Sequence, residues 1–261
     1  MINDIISIVR EASKLMVSEG FEIEQKDGFE NIVTSSDVAV QEFLRSRFSE
    51  LIPGCGFNCE EERRHVLDKE YVWIIDPIDG TANYARGIDH CCISVALCHR
   101  GEVVAGVVYS PWRDELYHAE KCHGAFLNGK PIHTSARSFE NSLICTAMST
   151  YRKEFAPVCN DIIMEAYAVC NDFRRFGSAA IELCFLACGR CELYFEFRLQ
   201  PWDYAAGTLI LTEAGGRISG LDGSLPRLDG PSLVCAANNA ANFDRLLTII
   251  RHHVPSIPYT D

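Results

Sequence analysis

No apolar stretch in this sequence approaches the roughly 20 residues that a membrane-spanning helix requires. Uncharged runs such as Cys91 to Cys98 fall far short of it, so a soluble protein with no membrane partner is expected. Basic charge is scarce as well: 24 Lys and Arg stand against 36 Asp and Glu, for a formal charge of −12. Binding a nucleic-acid backbone needs clustered cations, so no nucleic-acid partner is expected. An acidic protein that handles a phosphate needs bridging cations instead. The N-terminus, Met1-Ile2-Asn3-Asp4, lacks the basic region of a signal peptide, which points away from export. The eight histidines show no HExxH spacing and are read as surface or structural residues. Low-complexity tracts, internal repeats and Pro/Gly/Ser-rich linkers are also missing. Cysteine, by contrast, is abundant. The thirteen are odd in number, scattered and mostly set in apolar segments, where a thiol acts as a small buried hydrophobe. The expected compartment is a reducing cytoplasm.

At 261 residues the chain is long enough for sizeable cores in one large domain or two closely packed ones. Ile2, Ile5, Ile6, Val9, Ala12, Leu15 and Met16 recur at helical spacing, with Gly20 as a stop. A second helix is predicted over 37–51. Val72 to Asp76 reads as a buried strand, 93–99 and 102–110 as a hairpin around Arg100-Gly101, and Asn128-Gly129 as another hairpin turn. After about residue 140 the pattern alternates: strand 143–147, helices 157–170 and 177–188, strand 192–197, helix 202–214, strand 233–237 and helix 241–252. The predicted organisation is an N-terminal α+β domain, 1–140, and a C-terminal α/β domain, 141–261, with a cleft between them.

Asp76 ends an apolar strand, Pro77 opposes helical continuation, and Asp79 follows in what reads as a turn. Two carboxylates and the Ile78 carbonyl offer the oxygen ligands that a hard divalent cation takes. Gly80 permits close approach to an anion, and Thr81 opens a short helix whose free N–H groups favour phosphate. An Asp-x-x-Asp pair alone at a strand end is more often a solvated turn with an Asx cap. Glu60 to Glu62 alone read as a solvated acidic loop, and Asp203 alone as a helix cap.

The longer run Val72-Trp73-Ile74-Ile75-Asp76-Pro77-Ile78-Asp79-Gly80-Thr81 resembles the first signature of the inositol monophosphatase family, the lithium-sensitive sugar-phosphatase superfamily that includes fructose-1,6-bisphosphatases. Trp202-Asp203-Tyr204-Ala205-Ala206-Gly207 is similar to its second signature. Val33-Thr34-Ser35-Ser36-Asp37 and Cys59-Glu60-Glu61-Glu62 resemble two further segments, so the likeness covers nearly the whole chain. It implies a layered αβαβα fold, with an N-terminal helix pair and antiparallel sheet followed by a mixed-sheet α/β half. It also implies Mg²⁺-dependent hydrolysis of a small phosphate monoester by a metal-activated water in an in-line displacement. The implied substrate is myo-inositol monophosphate or a related polyol or sugar phosphate. Alternatives are fructose 1,6-bisphosphate, histidinol phosphate, and 3′-nucleotide or NADP substrates; a catalytically silent phosphate-binding protein is the remote one.

By the same resemblance, Glu61, Asp76 and the Ile78 carbonyl hold a first metal, and Asp76, Asp79 and Asp203 a second. Two or three Mg²⁺ ions are implied, with Mn²⁺ as a substitute and Ca²⁺ and Li⁺ as inhibitors. Thr81, paired with Asp37 and near Glu61, positions the attacking water. Gly80, Thr81, Gly177, Ser178, Ala179, Glu196 and Asp203 line the substrate, and Lys26 lies near the metal-bound water. A homodimer is implied as well. Cys59 and Glu62 depart from the family's usual Gly and Ser, and the triple glutamate leaves Glu60 as the ligand if the loop shifts by one residue. Arg174, Arg175 and Arg198 flank the substrate turn and strand, with roles as anion binders or solubilising charges left open. Cys184, Cys188 and Cys191, and the pair Cys91-Cys92, are read as core packing rather than metal sites.

Overall fold

The computed structural model describes residues 1–17, 20–25, 32–62, 66–149 and 152–254. The N-terminal half opens with α1 (Ile2–Met16), a short hairpin of β1 (Ile23–Gln25) and β2 (Ile32–Thr34), and α2 (Ser35–Leu51). A seven-stranded sheet follows, built in chain order from β3 (Gly56–Cys59), β4 (Tyr71–Asp79), β5 (Cys92–His99), β6 (Glu102–Ser110), β7 (Glu115–Glu120), β8 (Ala125–Leu127) and β9 (Lys130–Ile132). Only β3 and β4 run parallel in it. The four-residue helix α3 (Thr81–Tyr84) lies between β4 and β5.

Alternation along β4 explains the layering. Trp73 and Ile75 point to one face, where they meet Val9, Leu44 and Phe48 of α1 and α2. Val72 and Ile74 point to the other, where α5 (Ala179–Ala187) and α6 (Pro201–Glu213) cover them. The far side of that helix layer rests on a second, five-stranded sheet, ordered β11 (Asp172–Arg174), β10 (Leu143–Thr146), β12 (Leu193–Leu199), β14 (Ser232–Ala237) and β13 (Arg217–Ser219). Its strands alternate too. Cys145 and Tyr194 face inward, while Ile144, Leu193 and Phe195 face α4 (Ala156–Tyr167) and α7 (Ala240–His253) on the outside. The result is the expected αβαβα stack.

Both predicted hairpin turns have positive φ at their central residues, 52° and 81° at Arg100-Gly101 and 49° and 74° at Asn128-Gly129. One local expectation is corrected. Asp79 is not in a turn after the strand: β4 continues through it, and a bulge absorbs Pro77 and Ile78. Asp76 pairs with Ser94 and Asp79 with Cys92, so three steps on β4 oppose two on β5. In a regular strand, residues three apart face opposite ways; the bulge turns both carboxylates to the same side.

Candidate active site

The site forms where the C-terminal end of β4 meets the N-termini of α2, α5 and α6. Thr34 caps α2, and Asp37 completes a capping box. Asp37 Oδ2 accepts the Thr34 N–H at 2.8 Å and its hydroxyl at 2.5 Å. Asp37 Oδ1, fully buried, accepts from Thr81 Oγ1 at 3.3 Å, and that hydroxyl also lies 3.0 Å from the Ile78 carbonyl. Asp203 holds the matching third position of α6, where Oδ2 accepts the Gln200 N–H at 2.7 Å. It is therefore both a capping residue and a site residue.

Asp76, Asp79 and Asp203 each offer a carboxylate oxygen, and these lie within 4.8 Å of one another. Three like charges at this spacing repel strongly in a dry site. Burial pushes the Asp76 carboxyl well above its usual range, and Glu60, Asp79 and Asp203 push it further. Asp203 is raised by burial, then by Asp79 and Glu60. Asp79 is raised by burial to about 6, although Ser178 Oγ (2.6 Å) and the Ala180 N–H (2.7 Å) both donate to its Oδ2. Acidic oxygens gathered this closely, hard in character and destabilised as anions, fit a hard divalent cation.

The triple-glutamate loop follows β3 at the edge of the cluster. Glu60 follows β3, with its N–H on the Ile75 carbonyl at 3.2 Å, and its carboxyl bonds Asp76. The Glu61 N–H is held by Gln41 Oε1 at 3.0 Å, and Glu62 pairs with Arg45. Glu60 acts electrostatically on both Asp76 and Asp203.

On the opposite wall, the turn Gly177-Ser178-Ala179 packs against Gly80. A Cβ on Gly80, whose φ is +90°, would sit 3.0 Å from the His90 carbonyl and 3.2 Å from that of Gly177. Asn83 Nδ2 ties the two together, donating to the carbonyls of His90 and Phe176, each at 2.8 Å. Behind the turn, Glu182 is 2% exposed. Its Oε1 accepts the Gly177 N–H at 2.8 Å, and its buried Oε2 has no hydrogen-bond partner among the described residues. Burial, then Cys145 and Glu196, raise the Glu182 carboxyl well above its usual range. Glu196 is raised by burial to about 7, and it accepts from Tyr194 Oη at 2.7 Å.

Among the flanking arginines, Arg175 acts electrostatically on Glu196. Arg174 pairs with Asp172, and Arg198 sits at a bulge in β12 with φ +56°. Lys26 lies outside the described residues. Cys184 and Cys191 are buried, as expected from packing, but Cys92 does more: its thiol lies 3.9 Å from Asp79 Oδ2 and 3.8 Å from Ser178 Oγ. Sequence reasoning missed Gln41, Asn83, Cys92, Glu182 and Gln200. Gln41, Asn83 and Cys92 reach Glu61, Phe176 and Asp79, 20, 93 and 13 positions away, so no local spacing marks them, whereas Glu182 and Gln200 bond Gly177 and Asp203, five and three positions away.

Fold and cluster define the class: a five-layer α/β protein whose candidate metal site is made of carboxylates from both halves. The chain belongs to the inositol monophosphatase family, whose profile matches residues 2–254. It is 37% identical over 207 residues to Nus factor SuhB of Salmonella typhimurium, covering 78% of this chain and 77% of that one. It is 36% identical over 208 residues to the inositol-1-monophosphatase of Mesorhizobium japonicum, covering 77% of each. The Thermotoga maritima IMPase structure superposes with a TM-score of 0.86 at 28% identity, covering 97% of both chains.

Proposed function

We propose that this protein is a Mg²⁺-dependent phosphatase that hydrolyses myo-inositol monophosphate or a closely related polyol or sugar phosphate. The observation that carries the reading is the convergence of buried Asp76 and Asp79 with half-buried Asp203, mutually repelling, beside the N-termini of α5 and α6. Phosphate monoesters are among the slowest compounds to hydrolyse, with enzymes accelerating such reactions by up to about 10²¹. Charge stabilisation must supply most of that.

In this reading Glu60, Asp76, Asp79, Asp203 and the Ile78 carbonyl hold the ions, with Glu60 in the role that the family resemblance gives to Glu61. Bound Mg²⁺ supplies water activation and neutralises charge on the phosphoryl and leaving oxygens. Asp37 fixes the Thr81 hydroxyl, leaving its lone pairs to orient the attacking water. Ser178 and the Ala180 N–H hold Asp79, and the dipoles of α5 and α6 favour the substrate phosphate. Gly80, Gly177, Ser178 and Ala179 form the walls around that phosphate. Glu196, oriented by Tyr194, takes a hydroxyl of the leaving group. The name of the Mesorhizobium relative supports the substrate class. Lithium inhibition, a homodimer and a cytoplasmic setting belong to the same reading.

A phosphate-release panel with Mg²⁺ tests it, using inositol 1-phosphate, fructose 1,6-bisphosphate, histidinol phosphate, NADP and 3′-phosphoadenosine 5′-phosphate. Inositol 1-phosphate is expected to lead in kcat/KM by about tenfold, the discrimination that roughly 1.4 kcal/mol of differential transition-state binding supplies. A different leader overturns the substrate, and no release from any overturns the enzyme. The 37% identity to a Nus factor favours a second reading, a role in transcription complexes alongside the chemistry. Such a role predicts binding to those complexes that survives Asp203→Asn.

A further inference from the structure

Among the described residues, one other group of metal-competent side chains converges outside the carboxylate cluster. Glu165 on α4 faces His252 and His253 on the last turn of α7. Nδ1 of His252 lies 3.0 Å, and Nε2 of His253 2.6 Å, from the same oxygen, Oε2 of Glu165. All three donor atoms fall within 4.8 Å of one another. The two helices are held side by side by their own core. Ile162, Ile163 and Ala166 of α4 share a cluster with Phe243, Leu246, Leu247 and Ile250 of α7. The three side chains therefore project from backbones that packing has already positioned.

We propose that Glu165, His252 and His253 form a binding site for a borderline divalent ion of the Zn²⁺, Ni²⁺ or Cu²⁺ kind, which clamps the end of α7 to α4. The donor set decides the ion. Two imidazole nitrogens and one carboxylate oxygen suit these metals, whereas Mg²⁺ takes oxygen ligands. The carboxylate cluster and this site thus differ in softness, which lets the same protein hold Mg²⁺ at one and a borderline ion at the other. Zn–N bonds of about 2.0–2.1 Å place tetrahedral donors roughly 3.4 Å apart. The observed 3.0 and 2.6 Å separations are shorter than that, so the imidazoles and the carboxylate move apart to admit an ion between them. The His252 side chain is 71% exposed and that of His253 22%, leaving the fourth position open to water.

Titration calorimetry with Zn²⁺ on the full chain, held in saturating Mg²⁺, tests the proposal. The comparison set is wild type, His253→Ala, the double variant His252→Ala/His253→Ala, and Glu165→Gln. These side chains lie outside the carboxylate cluster, so each variant should fold and keep its Mg²⁺-dependent behaviour. The expected result is one Zn²⁺ site that the double variant lacks. His253→Ala and Glu165→Gln should weaken it by more than the roughly 10- to 100-fold that loss of an outer-shell partner costs. Zn²⁺ should also raise the melting temperature of the wild type and leave that of the double variant unchanged. Equal stoichiometry and affinity in wild type and double variant would overturn the site. Unweakened binding by Glu165→Gln would overturn the clamp between the helices.

Discussion

Asp37 and Asp203 sit at the same capping position of two helices, and each uses one oxygen to close its cap while contributing to the site. Such carboxylates cannot drift, because their backbone partners define the helix ends. Glu60 is held differently, by the register of β3 on β4, which pairs Cys59 with Ile75. The bulge after Asp76 then sets where the chain of ligands ends. If Glu60 is the ligand, Glu60→Gln should raise the half-saturating Mg²⁺ concentration by more than the roughly 10- to 100-fold that loss of an outer-shell partner costs, and Glu61→Gln by clearly less. Mg²⁺ titrations of phosphate release decide between them, and the reverse order would return the ligand to Glu61. Nothing in the run Glu60-Glu61-Glu62 distinguishes these residues, because register is a property of the paired strands.

At the scale of elements, α5 and α6 carry the C-terminal half of the site into contact with β4. Their close approach depends on Gly207: a Cβ there would lie 2.8 Å from Leu183 Cδ1 and 2.9 Å from Leu183 Cβ. Gly207→Ala should lower stability by about 1–2 kcal/mol, because overpacking costs roughly 1–3 kcal/mol and outweighs the better helix propensity of alanine. A shift of the denaturation midpoint to lower denaturant checks this; an unchanged or higher midpoint contradicts the close packing. The helices themselves were legible because apolar stripes and caps mark them, as with Ile5, Val9 and Met16 in α1. Strands β1, β11 and β13 were not, being three residues each with no period to read. The bulge at Pro77-Ile78 was also hidden, since it appears only once β5 is paired against β4.

Across the whole molecule, the two halves meet through contacts that no local pattern encodes, such as Asp79 with Ala180, 101 positions apart. The signatures around Asp76 and Asp203 were legible in sequence; that one oxygen of Asp79 is shared by Ser178, Ala180 and Cys92 was not. Gathering acids in this dry space makes stability depend on pH. Burial raises Glu196 from 4.5 to about 7, so the folded state holds its proton while the unfolded state has lost it. Its contribution is present below pH 4.5 and disappears as pH rises through about 7, on the order of 3 kcal/mol. In metal-free protein, denaturant midpoints should fall between pH 5 and pH 8, and Glu196→Gln should flatten that fall. An equal slope in the variant would assign the dependence elsewhere.

In the proposed function, the carboxylates gathered at the end of β4 hold the divalent ions that make phosphate hydrolysis fast. Its most direct test is phosphate release from inositol 1-phosphate by wild type and Asp203→Asn across a Mg²⁺ titration, with a chelator control. Asparagine can still accept the Gln200 N–H, so the cap and fold should persist. Chelation is expected to stop the wild type and Mg²⁺ to restore it, while Asp203→Asn is expected to lose about 100-fold or more in kcat/KM, comparable to removing a main charge-stabilising group. Release that persists under chelation, or near-wild-type turnover by Asp203→Asn at saturating Mg²⁺, would contradict that function.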